Sequence, residues 1–158
     1  MKLKVQELTA AAFEPYGSFV NVHEGFSDDV ISFQPDRMIQ CIGAPALDSL
    51  CTIRINPRPY TLTVTEYHEH CEEVFGGYSV DMLFHVGLLG ADGKPDPDTI
   101  RVFRMPAGTF CRVKRYTLHH APFVCDDKAA DGIVLLPPAT YTIDCKVLSY
   151  DAPIEFEL

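Results

Sequence analysis

Almost every segment between two turn signals in this chain is short and rich in Val, Ile, Thr, Tyr and Phe, the composition of strands and not of helices. Strands are expected near 18–22, 37–42, 50–56, 60–70, 78–89, 99–105, 109–116, 121–125, 131–136 and 143–150, separated by clusters such as Gly43-Ala-Pro45, Gly76-Gly77 and Pro137-Pro138. Many short strands at close spacing point to an all-β sandwich or barrel. One short helix is expected at the N-terminus, where Thr9 caps Ala10, Ala11, Ala12 and Phe13 before Pro15 and Gly17 end it. The loop Gly90–Asp98 is polar, carries two prolines and belongs at the surface. At 158 residues the chain has the length of one domain, spanning 1–158, and can bury a core without disulfides or a structural metal.

Thirteen basic against 22 acidic residues give a formal charge of −9, which repels nucleic acid and anionic bilayers. The longest apolar runs, such as Ile133–Leu136, fall far short of the ~20 residues of a membrane-spanning helix. Met1–Val5 alternates charged and apolar residues without the apolar stretch of a secretion signal, so a cytoplasmic location is expected. The six cysteines, Cys41, Cys51, Cys71, Cys111, Cys125 and Cys145, form no CxxC pair and are expected as free, mostly buried thiols. There is no GxGxxG, Walker loop, GxSxG elbow or HExxH helix, and no organic cofactor is expected. Tyr67 and Tyr78 have no companions in a basic stripe on which single-stranded nucleic acid would stack.

The stretch Tyr60–His70 carries the most chemistry. Side chains of a strand alternate between faces, so Tyr60, Leu62, Val64, Glu66, His68 and His70 share one side, and its apolar half marks that side as inward. Three ionisable groups on a core face must be paired, hydrated or bound to a metal. Two histidines at i and i+2 project side by side, a workable metal-ligand pair with Glu72 or Glu73 close behind. A second pair, His119-His120, follows the strand ending near Tyr116, and only one of the two is expected on the same side. Three histidines and a carboxylate would leave positions open for a substrate on a divalent transition metal such as Mn, Ni, Zn or Fe. Arg54, Arg58, Arg112 and Arg115 lie on or beside strands, where a guanidinium can grip a carboxylate, and Arg115 shares a strand face with Thr109, Cys111 and Val113.

With His68, His70, Glu73 and His119 in that order, the chain resembles a cupin, a small β-barrel with ligands inside one end. Only Cys71 and Glu72 separate His70 from Glu73, fewer residues than the usual cupin motif has, and the histidine after Pro106-Ala-Gly108 arrives several residues late. More closely it resembles the cupin-like ureidoglycolate lyase family, in Leu8–Gly17, in Ile53–Arg58 leading into Leu62–His70, in Gly93–Phe103 and in Arg115–Phe123. It departs from that family in Glu73–Gly77, in Val113-Lys-Arg115 and in having no tryptophan. The resemblance implies a cupin-like jelly roll, a homodimer, and cleavage of ureidoglycolate to glyoxylate and urea in purine catabolism. That reaction assigns His70, Glu73 and His119 to catalysis, and Arg115, Arg58 and Glu66 to the substrate. The metal ligands would be His68, His70, Glu73 and His119. A different metal-dependent cupin enzyme, such as an isomerase, epimerase or dioxygenase, and a non-catalytic small-molecule-binding module are the other readings of the same pattern.

Overall fold

The computed structural model describes residues 1–24 and 48–158. The strand expected at 37–42, the Gly43–Pro45 separator and Cys41 lie outside the described residues. In chain order the elements are β1 (Lys2–Glu7), α1 (Ala10–Phe13), β2 (Gly17–Asn21), β3 (Ser49–Ile55), β4 (Thr61–Tyr67), β5 (Glu73–Gly76) and β6 (Met82–Val86). They continue with β7 (Arg101–Met105), β8 (Thr109–Val113), β9 (Phe123–Val124), β10 (Ala130–Leu136), α2 (Thr140–Ile143) and β11 (Lys146–Glu157). A 3-10 turn, Pro97–Thr99, closes the polar loop.

The strands form two sheets, β4-β11-β1-β7-β6-β9 and β2-β8-β5-β10-β3. Among the described residues pairing is antiparallel except at β1, whose first half runs parallel to β11 and whose second half runs parallel to β7. This is the all-β, two-sheet architecture that the strand pattern predicts. Its main core is filled from both sheets: Ile55, Phe75, Cys111, Val113 and Val134 from one, and Met82, Phe84, Val86, Phe103, Met105 and Val124 from the other. A second cluster unites Leu62, Leu83, Ile100, Val102, Phe123 and Ile154. The five residues of β6 are therefore all buried, Met82, Phe84 and Val86 on the main core and Leu83 on the second cluster.

Thr9 caps α1 as expected, its Oγ1 accepting from Ala12 N at 3.3 Å. A second short helix, α2, and strands β1 and β5 were not expected. β5 begins at Glu73, where the Gly76-Gly77 pair reads as an interruption, yet both glycines have positive φ and fit beside Thr109 and Phe110 of β8. Two expected strands stop early. β4 ends at Tyr67, before His68 and His70, and β8 ends at Val113, so Arg115 lies exposed in a turn beside Tyr116, whose φ is 63°. Burial in β4 falls on Leu62 and Thr65, three residues apart, in place of strict alternation. No helix of the described residues is long and apolar enough to cross a membrane.

Candidate metal centre

Residues 116–120 join two elements that sequence keeps far apart. Leu118 exchanges backbone hydrogen bonds with Gly87, just past β6, and His119 exchanges them with Glu66 of β4, at 2.8 and 2.7 Å. Tyr116 N also donates to the His68 carbonyl at 2.8 Å. The segment thus acts as an added strand that sets His119 beside the end of β4. Thr65 adds a further tie, its hydroxyl donating to the His119 carbonyl at 3.1 Å while accepting from His85 Nε2 at 2.9 Å. Sequence reading gave His85 no role; the structure places it fully buried, where desolvation, and after it the charges of His119, His120 and Arg58, hold its pKa well below the usual value.

Three side chains converge. His68 Nε2 lies 3.0 Å and His119 Nε2 3.4 Å from the same Glu73 oxygen, with all three residues largely buried. The opposite ring nitrogens settle the tautomers. His68 Nδ1 faces the Asp144 carbonyl at 3.0 Å and His119 Nδ1 faces the Thr117 carbonyl at 2.8 Å, and a carbonyl can only accept, so both Nδ1 atoms carry hydrogens. In the neutral rings both Nε2 lone pairs then point at a carboxylate oxygen, which needs a cation between them. Burial would raise the Glu73 carboxyl pKa, but the imidazoles of His119 and His68 reverse this and hold it at about 2. Burial pulls the other way on His119, and Glu73 overrides it to raise that pKa. His119 Nε2 nonetheless has no aligned hydrogen-bond partner among the described residues. Two imidazole nitrogens, each with its far N–H fixed to a backbone carbonyl, and one carboxylate oxygen form a donor set that could hold a divalent metal ion with positions left open. The residues present fit such an ion.

The remaining sequence-derived positions separate. Glu73, not Glu72, points inward; Glu72 meets Arg112 at 3.4 Å. His70 is not among the converging groups: its side chain is 81% exposed and its Nδ1 bonds the Asp144 carboxylate at 2.8 Å. The HxH pair splits because the strand ends before it, so the alternation that would aim both rings inward is lost. Arg115 is exposed in its turn, away from the cavity lining. Arg58 stacks its guanidinium 3.8 Å above the Phe123 ring and donates to the Ala121 carbonyl at 2.6 Å, beside the cavity but not in its wall.

The cavity next to the cluster is about 70 Å³ and is walled by Glu66, Glu73, Tyr78, His119, His120 and apolar residues from β3, β5 and β10. Both histidines of the 119–120 pair line it, against the expectation that one would turn away. Glu66 accepts the thiol hydrogen of Cys145 at 2.7 Å, and burial together with that carboxylate pushes the Cys145 pKa up to about 12. Burial, and after it the charges of Arg58 and His119, lowers the pKa of His120 against the opposing pull of Glu66 and Glu73. Asp144 is the other position that sequence reading missed. Its carboxylate accepts the backbone N–H of Glu69 and of His70, each at 3.0 Å, and its own carbonyl orients His68. No sequence signal marks it, because it closes α2 and reaches the 68–71 loop only in the folded chain.

No protein-family model and no curated protein matches this chain. Among solved structures it is similar to Bacillus subtilis oxalate decarboxylase, a protein described with Mn(II) centres. One such structure is 15% identical over 65% of this chain and 23% of the decarboxylase chain, with a TM-score of 0.41. A deletion mutant of the same protein gives 14%, 65%, 24% and 0.40. This chain spans about a quarter of the length of those chains.

Proposed function

We propose that this chain is a divalent-metal-dependent enzyme acting on a small oxygen-bearing molecule, with His68, Glu73 and His119 as ligands of Mn, Ni, Zn or Fe. The observation that carries this reading is the pair of Nε2 lone pairs aimed at one Glu73 oxygen, with both Nδ1–H groups held by carbonyls. A bound ion would supply Lewis acidity, lowering the pKa of a ligand hydroxyl. The chain's own proton-transfer group is then His120, with Glu66 also in the cavity wall, in place of the exposed His70. His120 is suited to act as a base, since burial keeps it neutral.

Within this class we put ureidoglycolate first, on the sequence resemblance. Cleavage to glyoxylate and urea is collapse of a carbinol: a base takes the hydroxyl proton, the C–N bond breaks, and the departing nitrogen is protonated. His120 can take the hydroxyl proton and deliver it to the departing nitrogen, while Glu66 accepts a hydrogen bond that orients the ligand across a cavity of this size. The test is glyoxylate release from racemic ureidoglycolate by the protein as purified, after chelation, and after addition of manganese, nickel or zinc. Turnover lost on chelation and regained with metal is the expected result. No glyoxylate with fully metal-loaded protein would remove ureidoglycolate, and no metal retained by the wild type would remove the metal centre.

A further inference from the structure

One buried polar atom in the cavity wall is not explained by the three converging ligands. Tyr78 is 1% exposed, lines the same cavity, and its hydroxyl has no hydrogen-bond partner among the described residues. Its position is built for. The ring lies over Gly132 of β10, where a Cβ would overlap Cε1 and sit 2.7 Å from Cζ, so only glycine leaves room for the phenol. A buried hydroxyl left unpaired costs free energy, and a fold that shapes a strand residue around it gains nothing from it in the empty state. Burial, and after it the charge of Glu73, raises the Tyr78 pKa, and a phenol is in any case a hydrogen-bond donor near neutral pH. Glu66 supplies the complementary acceptor: Cys145 takes one carboxylate lone pair and leaves capacity for another donor. The described residues of the wall include two glutamates and no lysine or arginine, which disfavours an anionic group away from the metal position. The volume of about 70 Å³ lies well below the ~300–1,000 Å³ of drug-sized sites and admits a ligand of a few heavy atoms.

We propose that Tyr78 is a ligand-binding residue whose hydroxyl donates to the carbonyl oxygen of a small amide, ureide or hydroxy-carbonyl compound, while Glu66 receives that ligand's N–H or O–H. This rests on the reading of the cavity as the ligand site beside His68, Glu73 and His119. Glycolamide, a small uncharged molecule with carbonyl, amide and hydroxyl groups, is the probe. Its affinity is measured by calorimetry for wild type and Tyr78→Phe, each with and without Mn(II), alongside the melting temperature of the free proteins and their Mn(II) affinity. Tyr78→Phe is expected to melt no lower than the wild type and to bind Mn(II) within about twofold, yet to bind glycolamide about tenfold more weakly. A purely structural tyrosine would instead lower the melting temperature and leave ligand affinity alone. Tyr78-dependent glycolamide binding by a protein that retains no Mn(II) would remove the metal reading and support the Tyr78 assignment. Equal glycolamide affinity in the two proteins, or none in the wild type, overturns it.

Discussion

Glu72 and Glu73 are adjacent and chemically identical, yet one pairs with Arg112 and the other holds two imidazoles. Strand alternation separates them, since β5 begins at Glu73 and pairs with β8 at Val113. At this scale the least conspicuous histidine carries the clearest pH signature. His85 is fully buried with a depressed pKa, whereas in the unfolded chain it titrates near 6.5. Below that pH the unfolded state takes up a proton that the folded state refuses, so stability is full above about pH 6.5 and falls as pH drops, by up to about 1.4 kcal/mol per unit. Urea unfolding between pH 7.5 and 5.5 should therefore show a slope shallower by about one proton in His85→Gln than in wild type. Parallel slopes would mean that His85 is charged or exposed in solution.

Among the elements, α2 matters more to the site than its single turn suggests. It ends in Asp144, whose carboxylate binds the backbone of Glu69 and His70 and whose carbonyl fixes His68 Nδ1. The loop carrying His68 is thereby held by an element more than 70 residues away. Asp144→Ala keeps the carbonyl but removes the carboxylate, and a loss of about 1.5–3 kcal/mol in unfolding free energy is expected. Mn(II) affinity should fall with it by about 10–100-fold, because the His68 ring loses the loop that aims it. Full metal affinity in a destabilised Asp144→Ala protein would show that the clasp serves folding alone.

For the whole molecule, the proposed metal binding would be linked to stability. An ion bound only by the folded state at a hundredfold excess over its Kd adds about 2.7 kcal/mol, or roughly 5–10 °C in Tm for a chain of this size. That shift should appear with Mn(II), Ni(II) or Zn(II) in the wild type and vanish in both His68→Ala and His119→Ala, read by thermal unfolding. The two sheets make this coupling possible, since His68 follows β4, Glu73 opens β5 and His119 lies in a segment pinned to both β4 and β6. Unfolding any one of these disperses the three side chains.

The sequence by itself determined the β architecture, the capped helix α1, the net negative charge, and the candidates from which the site is drawn: His68, one of Glu72 and Glu73, and the His119-His120 pair. These follow from local composition, periodicity and charge, which act over a few residues. Only the tertiary structure decided that β4 stops at Tyr67 and turns His70 outward, and that Arg115 falls in a turn. The same holds for the entry of Tyr78, His85 and Asp144 into the site's surroundings. Each depends on a contact across many residues: the backbone bridge between Glu66 and His119, the room left by Gly132, and the clasp from α2. A strand's end and a side chain's partner are set by which distant backbone groups remain to be hydrogen-bonded when the sheets close, and no local pattern encodes that.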